Sequence, residues 1–309
     1  MLELRDISNY WMTLEIFLFN IVGNFGNFNL IWCTIRKKEM RTKPGILLAI
    51  NAVYQSICLI SCFINIAVIL SGKPIERSRC YPIVMPYTIA ISQQAPMAFV
   101  IALDLLIALI FPIRYRSIST LPYVALLCLP GWIYSLFFMI YGWIMMNDDL
   151  VHLCNVVVGL EPSVSSLWTF SNVVVNVAVL VVYLCIFLTL KCRYSDNPAA
   201  YNEHRRVVRR LTVIVIVFIF SWFLALLGAN IFIILNIDPK ILPYLQSNMI
   251  FFGCICFSQN FYVCIWRSLD YRRAFMEQLD ILRCRNSSKR TIAIGASTAD
   301  RKTGAGWVQ

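Results

Sequence analysis

The chain has 309 residues, 59% of them hydrophobic and only 14% charged, with a net charge of +11. Its apolar residues gather in long runs and do not alternate as they would around a water-soluble core, which excludes a soluble globular domain. The basic residues lie between those runs, where they set orientation and meet anionic lipid, so nucleic acid is not expected as a partner.

A helix needs about 20 apolar residues to cross the ~30 Å hydrocarbon layer with its backbone satisfied internally. Seven stretches meet that length, at roughly 12–35, 45–71, 81–112, 121–146, 165–190, 208–235 and 241–266. Asp238, Pro239 and Lys240 mark the turn between the last two, which fused would make one span far too long. Of the 27 Lys and Arg residues, 22 fall in 36–43, 114–116, 191–210 and after the last span, all on one side if there are seven helices. That side is expected to be cytoplasmic, which puts the N-terminus outside. No basic region followed by a small-residue cleavage site precedes the first run, so the first helix is expected to serve as its own insertion signal.

Of the twelve cysteines, only Cys80 and Cys154 fall on the outer, oxidising side, and the two are placed to form one bridge. The others read as apolar packers or cytosolic thiols. His152 and His204 fall on opposite sides, so no metal site is expected. No cofactor is expected either. A nucleophile, base and metal cannot be assembled from these residues, and the chain does not read as an enzyme.

Three stretches carry a family pattern in order along the chain. GNFNLIWCTIRKKEMRT (26–42) has the Gly-Asn start and basic end of a first helix and loop. FIFSW (218–222) supplies a Phe and a Trp, and NFYVCIWRSLDYRRAF (260–275) runs from a last span into a short amphipathic segment. With the spacing from Cys80 to Asp104 and on to Pro112, the chain resembles the rhodopsin-like G-protein-coupled receptors. In LDLLIALIFPIRYRS, SWFLALL and SQNFYVCIWRSLDYRRAF it resembles more closely the nematode serpentine chemoreceptors of the srsx class. The resemblance implies an all-α membrane protein, a seven-transmembrane-helix bundle with a short amphipathic eighth helix. It further implies a ligand from outside, a heterotrimeric G protein within, and the plasma membrane as location.

Asp104 is the acid of the third helix. The 24 steps from Cys80 carry a helix about 36 Å, which brings Asp104 to the inner boundary. In the receptor family an Arg follows this acid, pairs with it at rest and receives the G protein on activation; here Leu105 follows. Asp104 is then expected to look to Arg114, Tyr115 or Arg116, or to Arg209 and Arg210. The family's sodium-binding Asp aligns with Gln55, its sixth-helix Pro with Leu224, and after the retained Asn260 its Pro aligns with Phe261. Activation is expected to use other contacts.

On the ligand side, Tyr87 stands at the level where amine receptors carry an acid, which argues against a cationic amine. Ser92, Gln93, Ser171, Asn230 and Gln246 are the polar candidates to line the cavity, with Trp222 as its floor. Each has a bland reading as a bond between helices, and Trp222 as a packing anchor. The segment 191–210 reads as a topology-setting basic loop. Residues 268–284 read as an interfacial helix with Cys284 as a lipidation site. Residues 1–285 form the receptor domain, and 286–309 a disordered cytoplasmic tail. The expected function is chemosensory reception of a small molecule or peptide. A non-signalling receptor relative or partner subunit is the alternative raised by Leu105, and a channel or transporter fits less well.

Overall fold

The structure is a computed structural model, and it describes residues 2–71, 73–151, 154–193, 212–213, 216–218, 220–222, 224–225, 228, 235, 245 and 248–282. The expected sixth span lies mostly outside the described residues, as do His152, His204, Arg209, Arg210, Asn230, Gln246, Cys284 and the segment 286–309.

The elements follow in chain order as α1 (Leu2–Arg36), a 3-10 turn (Lys38–Met40), α2 (Lys43–Ser71), β1 (Ile75–Glu76), α3 (Arg77–Ser92), α4 (Gln94–Ile110), α5 (Pro112–Ser117), α6 (Thr120–Ile144), β2 (Leu150–Val151), α7 (Val156–Gly159), α8 (Pro162–Arg193), α9 (Ile250–Arg267) and α10 (Leu269–Leu282). Among the described residues five stretches are long and apolar enough to cross a membrane: Ile7–Arg36, Lys43–Val68, Arg77–Ile110, Thr120–Ile144 and Pro162–Cys192. Ile250–Trp266 is a shorter apolar helix in the place of the expected seventh span.

Local chemistry explains several boundaries. Thr42 caps α2 by accepting the Gly45 backbone N–H on its side-chain oxygen at 3.2 Å. Pro112 opens α5, where its missing N–H costs nothing. The third span is divided into two helices. Pro96 offers no N–H to the carbonyl of Ser92, four residues before, and the helix breaks at Gln93 between α3 and α4. The first helix starts ten residues ahead of its apolar run, because LELRDISNY continues the helical backbone without the hydropathy that marks a span.

Two units divide the chain. In the first, Met1–Val263, α1 packs along α2, α2 meets α3, α4 and α6, and α4 lies against α6 and α8. Polar side chains join the helices at several heights. Tyr81 donates to the Met139 carbonyl at 2.7 Å, Trp132 to the Tyr54 hydroxyl at 2.9 Å, and Tyr262 to the Val22 carbonyl at 2.7 Å. Backbones approach closely at Gly26, where a Cβ would lie 3.0 Å from that of Phe261. In the second unit, from Cys264 on, Arg272 donates to the carbonyls of Ile265 and Trp266 at the end of α9. Such a cation is favourable at a helix C-terminus.

One feature escaped the sequence reading. β1 and β2 pair antiparallel, Ile75 with Val151 and Glu76 with Leu150, a pairing too short to leave any periodic signal. Buried Arg77 secures it with an ion pair to Asp149 at 2.9 Å and a hydrogen bond to Asn147. Beside it Cys80 and Cys154 are disulfide-bonded, with Cα atoms 5.6 Å apart. Strand pair, ion pair and disulfide tie α3 to the connection between α6 and α8.

The disulfide closes a loop of 74 residues, for which a loss of roughly 2–5 kcal/mol is expected on removal. Cys80→Ser and Cys154→Ser should therefore each lower the melting temperature of the purified chain by a similar amount. The double variant should lose little more, because one bond is lost once. Strictly additive losses would assign the two thiols separate roles.

Candidate functional site

At the end of α4, Asp104 is buried. A lone carboxylate there must be met from within the protein. The partner is Tyr115 of α5, whose hydroxyl reaches both carboxylate oxygens, at 3.0 and 3.2 Å. Tyr115 is held in turn by Lys43 at the start of α2. The ammonium lies 4.0 Å from the Tyr115 ring centroid and 4.9 Å from that of Tyr123, and donates to the Tyr115 carbonyl. Tyr123 of α6 meets Tyr115 edge to face at 5.8 Å. Its hydroxyl is buried beside Asp104 without a hydrogen bond of good geometry. Burial, and then the Asp104 carboxylate, push the Tyr115 phenol well above its ordinary range, so it remains a donor.

Of the partners expected for Asp104, Tyr115 is the one that meets it. Arg114 and Arg116 are exposed, and Arg209 and Arg210 lie outside the described residues. Leu105 is buried beside Asp104 in the chain. Lys43 was not anticipated, because its role depends on α2 and α5 meeting and no local pattern reports that.

About three turns along α2 from Lys43, buried neutral amides meet. Asn260 donates to the Gln55 side-chain oxygen at 3.0 Å, and Gln55 donates to the Cys256 carbonyl at 3.2 Å. Asn27 donates to the Phe257 carbonyl at 3.1 Å. Three helices are thereby fastened by groups that carry no charge and make poor ligands for a hard cation.

Around Trp222 the interior is aromatic. Trp222 is buried, stacked on Phe218 with centroids 6.0 Å apart, and meets the rings of Trp168 and Phe257 at 6.4 and 6.0 Å. Among the described residues its indole N–H has no partner. Tyr87 is buried among Cys58, Cys62, Cys254 and Cys256.

The expected polar candidates separate. Ser92 accepts the Trp168 indole N–H at 2.9 Å. Ser171 shares a hydrogen bond of 2.7 Å with Tyr134 of α6 and donates to the Trp168 carbonyl, so it joins α8 to α6. Gln93 is buried at the break in the third span with both amide atoms unpartnered. It lies against α6, where a Cβ on Gly131 would come 2.9 Å from its side-chain oxygen. Among the described residues, Glu15 and Asn65 are also buried and polar, and the sequence reading missed both.

A family model described as "Serpentine type 7TM GPCR chemoreceptor Srsx" matches residues 20–279. A search of curated proteins found no match.

The inner cluster makes a coupled unit, and coupling is measurable. Tyr115→Phe removes a hydrogen bond to a charged group, worth about 1.5–3 kcal/mol. Asp104→Asn removes the same interaction from the other side. Thermal unfolding of the purified variants should show the double change costing less than the sum of the singles by at least ~1 kcal/mol. Additive costs would separate the two residues.

Proposed function

The chain belongs to the Srsx family of serpentine-type seven-transmembrane chemoreceptors, and from that premise we propose that it binds a small molecule or peptide from outside and signals to a heterotrimeric G protein. In this reading it sits in the plasma membrane with seven spans and its N-terminus outside, and α10 lies along the inner leaflet. The basic connections at 36–43, 114–116 and 191–210 support that orientation.

The observation that carries the signalling part is the Asp104–Tyr115 hydrogen bond. A receptor of this kind needs an inner contact that is stable at rest and separable on activation. With Leu105 in the arginine position, the acid at the end of the third span is held instead by a tyrosine on the following short helix, backed by Lys43. The contact joins α2, α4 and α5 at the inner boundary, where a G protein would engage.

On the ligand side, Tyr87 and Trp222 are the residues proposed to read the ligand, with Gln93 as a polar neighbour and Ser92 and Ser171 fixing the Trp168 wall. Asn230 and Gln246 remain candidates for the same lining. Leu105 favours one second reading, a non-signalling relative that serves as a partner subunit.

A ligand screen separates the two. Cells carrying the receptor, a promiscuous G protein and a calcium reporter should respond to at least one chemical class. An N-terminal tag should stain on intact cells, and a C-terminal tag only after permeabilisation. Surface-expressed receptor that stays silent across a broad screen, and acquires responses only beside a second receptor, would favour the partner-subunit reading.

A further inference from the structure

Ser8, Met12, Glu15 and Phe19 fall at steps of four, three and four along α1, which puts them on one face. That face meets the last described span. Asn248 donates to the Ser8 hydroxyl at 2.9 Å, and Phe19 meets Phe251 edge to face at 5.6 Å. Glu15 lies between these contacts and is only 7% exposed. Trp11, one turn before it, bonds the carboxyl group, yet Oε2 is buried with no partner. Among the described residues no cation stands beside it.

A second buried polar group is orphaned at the same height. Asn20 of α1 donates to the Leu59 carbonyl of α2 at 2.7 Å, which fixes the register of these antiparallel helices. From that bond, five residues back along α1 reach Glu15 and six forward along α2 reach Asn65. Both paths climb about 8–9 Å towards the outer side. Asn65 is 1% exposed, and among the described residues neither its amide nitrogen nor its oxygen has a partner. Cys62, one turn below Asn65, contacts Cys254, which lies in the neighbourhood of Glu15. Tyr87 closes the group from α3.

A carboxylate oxygen and a whole carboxamide left unsatisfied in an apolar setting mark a place where a ligand supplies the missing partners. The ligand must bring hydrogen-bond donors and positive charge to Glu15, and apolar bulk to the sulfur and aromatic groups around Tyr87 and Trp222. Aromatic faces favour the same charge.

We propose that Glu15 and Asn65 bind the ammonium group of a protonated primary amine whose apolar or aromatic body lies towards Tyr87 and Trp222. The proposal rests on the receptor reading and revises one expectation from the sequence. A tyrosine at position 87 argued against a cationic ligand, but the acid is supplied by the first helix instead of the third.

The test uses purified full-length chain in lipid nanodiscs, so it needs no G protein. Melting temperatures are measured with a panel of primary alkyl and arylalkyl amines, each beside its isosteric alcohol, such as 2-phenylethylamine and 2-phenylethanol. At least one amine should raise the melting temperature by several degrees and its alcohol should not. Glu15→Gln should abolish that shift, and Asn65→Ala should raise the half-saturating amine concentration about tenfold, as loss of one hydrogen bond to a charged group does. If Glu15→Gln does not fold, Glu15→Asp gives the same reading through a rise of about tenfold or more in the half-saturating concentration.

Equal shifts with amine and alcohol, an amine shift that survives Glu15→Gln, or no shift with any amine would each overturn the proposal. So would a loss of stability on Lys240→Met equal to that of Glu15→Gln with no amine effect, since the carboxylate would then have a partner within the chain. Amine shifts in a chain that activates no G protein would uphold this site and sink the signalling reading. Responses to uncharged ligands alone, with no amine shift, would do the reverse.

Discussion

A polar group buried in hydrocarbon has no water to turn to, so it must be met by another group of the protein or by something the protein binds. Most of what distinguishes this chain follows from how each buried polar side chain meets that demand. Asp104 meets it through Tyr115, and the interior amides of Asn260, Gln55 and Asn27 meet it in part, through one another and through carbonyls, with the Asn260 and Asn27 side-chain oxygens left without a partner among the described residues. Arg77 meets it at the outer end through Asp149. Glu15, Asn65 and Gln93 leave it unmet in whole or in part, and groups of that kind are the first place to look for a bound molecule.

The departures from the receptor pattern form one consistent set under this constraint. An arginine beside Asp104 would need the carboxylate for itself; with Leu105 in its place, the carboxylate is free to accept the Tyr115 hydroxyl, and Lys43 holds that tyrosine without a direct ion pair. A charged residue at position 55 would need a cation, whereas Gln55 both accepts from Asn260 and donates to the Cys256 carbonyl. Uncharged hydrogen bonds within a membrane are worth only about 0.6 kcal/mol on average. Contacts this weak suit a bundle whose helices have to shift against one another.

Much of this was legible before any coordinates. Five of the seven expected spans appear as long apolar helices, because hydropathy over about 20 residues is a strong signal. The bonded pair Cys80 and Cys154 could be singled out because both fall in connections outside the segments that hold most of the Lys and Arg residues. What stayed hidden depends on contacts between distant segments. Lys43 reads as one more topology-setting cation until α5 is laid across it. Ser171 has the polarity of a ligand contact, and periodicity alone does not reveal that it turns to Tyr134. Glu15 lies inside the expected first span, but a single acid near the start of an apolar run does not show which face of the helix it occupies. The break at Gln93 was signalled in the sequence by Pro96, but the apolar residues on either side of Ser92, Gln93 and Gln94 read as one span.

The central claim is that the Asp104–Tyr115 contact restrains an active state that can engage a G protein. Nucleotide exchange on purified heterotrimeric G proteins, measured with the chain in nanodiscs and no ligand present, tests it most directly by comparing the parent with Tyr115→Phe at equal amounts of folded protein. Removing a restraint worth about 1.5–3 kcal/mol should raise basal exchange by roughly tenfold or more. Basal exchange unchanged in Tyr115→Phe, in a preparation whose parent does respond to a ligand, would contradict the claim and leave Asp104 as an anchor for the end of the third span.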